Sequence, residues 1–212
     1  MLLLTTLLLA GSYARPEMLV ETGWLATHLA DANLRIVDMR ARGFDEGHIP
    51  GAVHLANSAI RTPANPPSFL PTPAEFETLM GRLGISNATR VVVYDDRGGI
   101  YASRLWWILN YHGHANVALL NGGWVKWTLE SRATTRDARA PAATRFAASP
   151  DPRWLASAAD VAAAIGQSGV RIVDARTTAE IEGKDLRGIR RGGFIPSSVP
   201  VYWEDTLDPM TR

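Results

Sequence analysis

Two groups of charged residues stand where apolar runs end. Asp38 and Arg40 follow Leu34-Arg35-Ile36-Val37, and Asp95, Asp96 and Arg97 follow Val91-Val92-Val93-Tyr94. In a parallel α/β sheet, ligands bind outside the carboxyl ends of the strands. The second group leads through Gly98-Gly99 into a helical pattern, and a loop entering a helix presents backbone N–H groups that favour an anion. Position 95 is therefore where such a domain would place a reactive anionic group, and it holds a carboxylate. Phosphotransfer on Asp95 or Asp96 would need a metal and further carboxylates at the strand ends, and adjacent strand residues point in different directions, so it is not expected. His112 and His114, with His48 and His54, have no accompanying ligand motif, and no metal is expected. His48 reads as a structural hydrogen-bonding residue. Neither Gly98-Gly99 nor Gly122-Gly123 fits the GxGxxG dinucleotide fingerprint. The sequence has no cysteine, which removes disulfides, thiolate metal sites and thiol nucleophiles together.

The elements that position these residues follow from apolar periodicity. Trp24, Leu25, His28 and Leu29 predict a short helix over 22–31 with Thr22 as its cap. Strands are predicted at 34–38, at 51–55 after Pro50-Gly51, at 90–94 and at 116–120. Prolines 63, 66, 67 and 71 mark 56–71 as a surface loop. Thr72-Pro73-Ala74-Glu75 combines an N-cap, a proline at the first helical position and Glu at the third, so a helix runs from there to Leu83, stopped by Gly84. Helices are also expected over 101–112, closed by Gly113, and from Gly122-Gly123 onward through Trp124, Trp127 and Leu129. Trp106 and Trp107 are expected in the core. The alternation of strand and helix is that of an α/β domain with a mainly parallel sheet. Residues 131–152 lack periodicity and read as a linker.

With 212 residues, 46% hydrophobic and 20% charged, the chain has the profile of a soluble globular protein. Its net charge of +1 supplies no field for nucleic acid or an acidic membrane, so neither is an expected partner. Leu2–Ala10 is too short to span a bilayer, which takes roughly 20 residues. With Ser12-Tyr13-Ala14 behind it, the run could be a signal-peptide core, although no Lys or Arg precedes it. Localisation is thus cytoplasmic, or exported if Met1–Ala14 is a signal, and residues 1–15 are set apart from the fold.

Past residue 152 the sequence begins again. Trp24-Leu25-Ala26-Thr27 is echoed by Trp154-Leu155-Ala156-Ser157, Arg35–Arg40 by Arg171–Arg176, and Ile49–Val53, more loosely, by Ile195–Val199. Three matches in one order indicate a duplicated domain. Residues 51–130 follow the Ile-Pro pair in the first copy, and only 197–212 follow it in the second. The expected layout is a first domain over 16–130, a linker over 131–152 and a partial second copy over 153–212. That partial copy has too few strands to close a sheet, and is expected to be poorly ordered or to dock on the first domain.

Four strings carry a resemblance: Ile36-Val37-Asp38-Met39-Arg40, Gly47-His48-Ile49-Pro50-Gly51-Ala52, Val92-Val93-Tyr94-Asp95 and Leu120-Asn121-Gly122-Gly123-Trp124. In that order they resemble the rhodanese domain, and the tandem layout resembles the two-domain thiosulfate and 3-mercaptopyruvate sulfurtransferases. The resemblance implies an enzyme, needing no cofactor, that moves sulfane sulfur from a small sulfur-containing anion to cyanide or another thiophilic acceptor through a cysteine persulfide. It places that cysteine in the second domain, in the loop after the central strand, among N–H groups that lower its pKa. It makes the first domain non-catalytic, with Asp in the corresponding position, which Asp95 matches. It gives Asp38, Arg40, His48, Pro50, Gly51, Asn121, Gly122 and Gly123 structural roles in the motifs. By the repeat spacing, the second catalytic loop would fall beyond Arg212, so no residue here is the nucleophile and the chain alone is expected to be inactive. Some relatives bind the substrate's anionic end with an arginine near the position of Glu180, where the charge is wrong. Arg187, Arg190 and Arg191 are the nearby substrate-binding candidates. The alternative is a non-catalytic rhodanese-homology module that binds an anion or a protein. Oligomeric state is left open.

Overall fold

The computed structural model describes residues 13–61 and 70–211. Expectations for residues 1–12 and for 62–69 of the proline-rich loop lie outside the described residues. Five parallel strands form the main sheet: β1 (Leu19–Val20), β2 (Leu34–Asp38), β3 (Ala52–His54), β4 (Arg90–Tyr94) and β5 (Val117–Leu120). Their order is β1-β5-β4-β2-β3. The β-branched run of β4 occupies the centre, where Val91, Val92 and Val93 are fully buried, as a strand covered on both faces requires.

Alternation along β4 divides the core. Val91 and Val93 face one cluster with Val37 and Met39, closed by α2 (Pro73–Arg82) and α3 (Ala102–Tyr111) through Phe76, Met80, Leu105 and Ile108. Val92 and Tyr94 face the other with Ile36 and Ala118, closed by α1 (Thr22–His28) and α4 (Gly123–Leu129) through Leu25 and Trp127. The period of two on the strands thus meets helices on both sides, which is the α/β architecture the pattern predicts.

The capping box of α2 forms as expected: Thr72 Oγ1 accepts from the Glu75 amide at 3.3 Å, and Glu75 Oε2 accepts from the Thr72 amide at 2.8 Å. The start of α1 differs. Glu21 is its N-cap, and Thr22 is the first helical residue, its hydroxyl turned to the Glu130 carboxylate. Trp106 and Trp107 pack against the core from its edge, half-buried, with their indole N–H groups donating to Val117 O and Trp154 O, while Trp127 is fully buried.

The 131–152 stretch is irregular but is no free linker. It straps the domain. Thr135 exchanges both backbone bonds with His48 at 2.9 Å, Thr144 donates to Gly81 O at 3.0 Å, and Ser149 donates to His112 O at 2.9 Å. A Cβ on Gly81 would stand 2.6 Å from Thr144 O, so the strap requires glycine there. Phe146 enters the core edge-on to Phe76, with ring centroids 5.6 Å apart. Such a segment satisfies its polar backbone on loops and helix ends, and that leaves no period to read.

Beyond the strap lie α5 (Ala158–Ala164), β6 (Val173–Asp174), α6 (Thr178–Ile181) and β7 (Val199–Pro200). No residue of 151–211 is buried. β6 and β7 form a separate two-stranded parallel sheet. Its register repeats the first half: Val37 pairs Val53 where Val173 pairs Val199, and Leu55 N–H donates to Asp38 O where Val201 N–H donates to Asp174 O, both at 2.9 Å. This part touches the first domain through Trp154, edge-on to Trp106, and through Trp203 and Leu207 against Gly98.

Candidate functional site: a filled anion cradle

At the carboxyl end of β4 the chain turns through Asp95 to Gly99 and enters α3. Gly98 (φ 70°) and Gly99 (φ 88°) adopt the left-handed conformation that lets successive amides point inward. The amides converge on Asp95 itself. Its Oδ1 accepts from Arg97 N–H at 2.8 Å and Gly99 N–H at 2.9 Å, and its Oδ2 from Tyr101 N–H at 2.8 Å and Ala102 N–H at 3.0 Å. The side chain is buried, whereas Asp96 and Arg97 are exposed. The loop is thus an anion cradle whose occupant is the protein's own carboxylate. The phosphotransfer pair is not assembled, since Asp96 points away.

Gly122 and Gly123 hold the cradle from below. Trp124 N–H donates to Asp95 O at 2.9 Å, and a Cβ on Gly123 would come within 2.4 Å of that oxygen. Asn121 donates to Glu21 at 2.7 Å beside Lys126. Burial raises the Glu21 pKa, but these two donors together hold it below its usual range. A cavity of about 220 Å³ opens over Asp95, Gly98, Gly99 and Gly122, with Leu207 on its far wall.

Asp38 and Arg40 make a buried pair next to this loop. Arg40 Nε and Nη2 bind both carboxylate oxygens of Asp38, and Nη2 also donates to Gly47 O at 2.7 Å. Tyr94 Oη donates to Asp38 Oδ2 at 2.6 Å, and the Trp124 ring lies over the guanidinium at 3.9 Å. Burial, and then the Asp38 charge, drive the Tyr94 pKa upward, so its hydroxyl stays a donor. Both carboxylate oxygens of Asp38, Arg40 Nε and Nη2 and the Tyr94 hydroxyl are engaged within the network, which orders the strand ends. The motifs contained Tyr94 and Trp124, but spacing gave no sign of either role. The one available signal was that both are aromatic residues, one at a strand end and one at a helix start.

His48 is buried, donates from Nδ1 to Phe44 O at 2.9 Å and stacks on the Phe44 ring with centroids 4.0 Å apart. After Pro50, Gly51 (φ 81°) turns the chain into β3. His112 is buried flat against Phe76 at 4.2 Å, and His114 is buried near Phe146. Among the described residues no group of three or more His, Asp or Glu is placed to hold a metal ion. Arg187, Arg190 and Arg191 are exposed. Arg187 pairs with Asp185 at 2.9 Å and with Glu180 at 3.5 Å, the very carboxylate at the expected arginine position.

The model of the rhodanese-like domain matches residues 21–130. The chain is 34% identical to a thiosulfate sulfurtransferase of Gallus gallus, over 89% of this chain and 71% of that protein. It is 33% identical to a thiosulfate sulfurtransferase of Corynebacterium glutamicum, over 93% and 69%. It is 30% identical to a 3-mercaptopyruvate sulfurtransferase of Escherichia coli, over 89% and 72%. The crystal structure of SseA from Escherichia coli superposes with a TM-score of 0.80 at 29% identity, covering 91% of this chain and 78% of that one.

Proposed function

The chain belongs to the rhodanese family, and on that premise we propose that it carries the non-catalytic first domain of a sulfurtransferase together with the opening of a second copy. The parent reaction moves sulfane sulfur from thiosulfate or 3-mercaptopyruvate to cyanide or another thiophilic acceptor, through a cysteine persulfide. This chain contributes scaffold and one wall of a cleft, and does not turn over by itself. The observation that carries the reading is the occupied cradle. Where a thiolate would accept a sulfur atom, the four amides already hold the Asp95 carboxylate. A carboxylate oxygen is not a sulfur carrier, and no residue of the sequence is cysteine.

The same occupancy disfavours the binding of a free anion in this loop, because a second negative charge would have to displace the first. The assay is thiocyanate formation from thiosulfate and cyanide by the purified chain. The expected rate equals the protein-free blank, and a rate above it that scales with protein concentration overturns the proposal.

A further inference from the structure

Two arginines belong to β2 and its exit, and they are treated differently by the fold. Arg40 is buried with both oxygens of Asp38 on its guanidinium. Arg35, the second residue of β2, is half-buried with no such partner. Its Nε is sealed from solvent and has no hydrogen-bond partner among the described residues. Burial alone pushes its pKa downward, and no carboxylate offsets the shift. A guanidinium taken out of water without an acceptor is costly, so an unpaired one calls for an acceptor from outside the chain.

Space for that acceptor lies beside it. A hollow of about 330 Å³ is lined by Arg35, Gly51, Thr135, Asp137, Arg139 and Pro141. It opens at the amino ends of β2 and β3, the opposite end of the parallel sheet from the Asp95 cradle. Its outer wall is the strap, which is fixed on one side by the Thr135 bonds to His48 and on the other by the Thr144 bond to Gly81. Gly84 keeps the inner wall clear: a Cβ there would stand 2.9 Å from Arg35 Nη2 and 2.8 Å from the Pro141 Cβ. Arg139 brings a second, exposed guanidinium and Asp137 a single carboxylate, so positive charge is in excess.

We propose that this hollow binds a small oxyanion of the phosphate type, with the Arg35 guanidinium as its floor, Arg139 at its rim and Asp137 limiting the charge it accepts. The class follows from the donors. Guanidinium forks match phosphate and carboxylate oxygens, and two forks approaching from floor and rim suit a tetrahedral anion, whose oxygens point both ways. The volume is that of a small-ligand pocket. The inference uses residues of the first domain and its strap alone and goes beyond the functional reading, so thiocyanate formation by the chain would leave it untouched.

The test is thermal unfolding and calorimetry of the full chain with inorganic phosphate, against sodium chloride at matched ionic strength. The unfolding midpoint is expected to rise saturably, with half-saturation at or below about 1 mM. Arg35→Met, which keeps the apolar stem and removes the fork, abolishes the saturable rise. General salting-out by phosphate acts on both proteins alike, so the difference between them isolates the site. Arg139→Ser, at an exposed position, weakens binding about threefold, and Asp137→Asn tightens it by about the same factor because a like charge is removed. Phenyl phosphate separates the two sources: tighter binding than inorganic phosphate assigns the hollow to a monoester, and equal or weaker binding to the free anion. Absence of saturation with both compounds, an equal rise in Arg35→Met, or an Asp137→Asn affinity no higher than that of the parent chain overturns the proposal.

Discussion

Asp95 accepts from four backbone amides at once, one buried and three half-buried, and its removal leaves all four without this acceptor. Asp95→Ala is expected to destabilise the protein by at least about 3 kcal/mol in urea unfolding, whereas Asp96→Ala at the exposed neighbour stays within about 0.5 kcal/mol. Equal effects of the two would remove the cradle from the account. His112 gives a second residue-scale prediction. Burial lowers its pKa from 6.5 to about 4 and so holds the ring neutral. Between those values the unfolded chain binds a proton that the folded one refuses. Stability therefore rises with pH across that window, is flat above it, and is lower by about 3 kcal/mol at its acid end. His112→Phe should flatten the slope of unfolding free energy between pH 4 and 6.5, leaving the smaller contribution of His114, which shifts in the same direction.

At the scale of elements, the signals strongest in the sequence were those with a local physical cause. Val91-Val92-Val93 needed burial on both faces, and Thr72-Pro73-Ala74-Glu75 carried its own cap, so both formed as read. Thr22 failed as a cap because a tertiary partner, Glu130, took its hydroxyl. The strap over 131–152 was illegible for a related reason: its bonds to His48, Gly81 and His112 join residues far apart in sequence and impose no period. Phe146 is its anchor. Phe146→Ala should cost about 3 kcal/mol or more and speed protease cleavage within 136–150, and an unchanged cleavage rate would return this stretch to the status of a tether.

For the whole molecule, the candidate site was legible as a place and only partly as chemistry. Strand-end logic located Asp95 and Asp38, but that the Asp95 carboxylate turns back into its own loop depends on Gly98 and Gly99 geometry that spacing does not encode. The repeat was legible as strings, and its register returns in β6 and β7. The contacts tying 153–211 to the first domain were not, since they rest on single side chains such as Trp154 and Leu207. Combining Trp154→Ala with Leu207→Ala should raise amide exchange across 153–211 severalfold while leaving 20–130 unchanged. Uniform exchange changes would mean that the two parts are one cooperative unit.

The central claim is the proposal that this rhodanese-family chain, its β4 cradle filled by the Asp95 carboxylate and its sequence without cysteine, takes up no sulfur. Intact mass spectrometry of the 212-residue chain after incubation with thiosulfate addresses it most directly. The mass should be that of the untreated protein, before and after cyanide. A gain of one sulfur atom per chain that cyanide discharges would contradict the account.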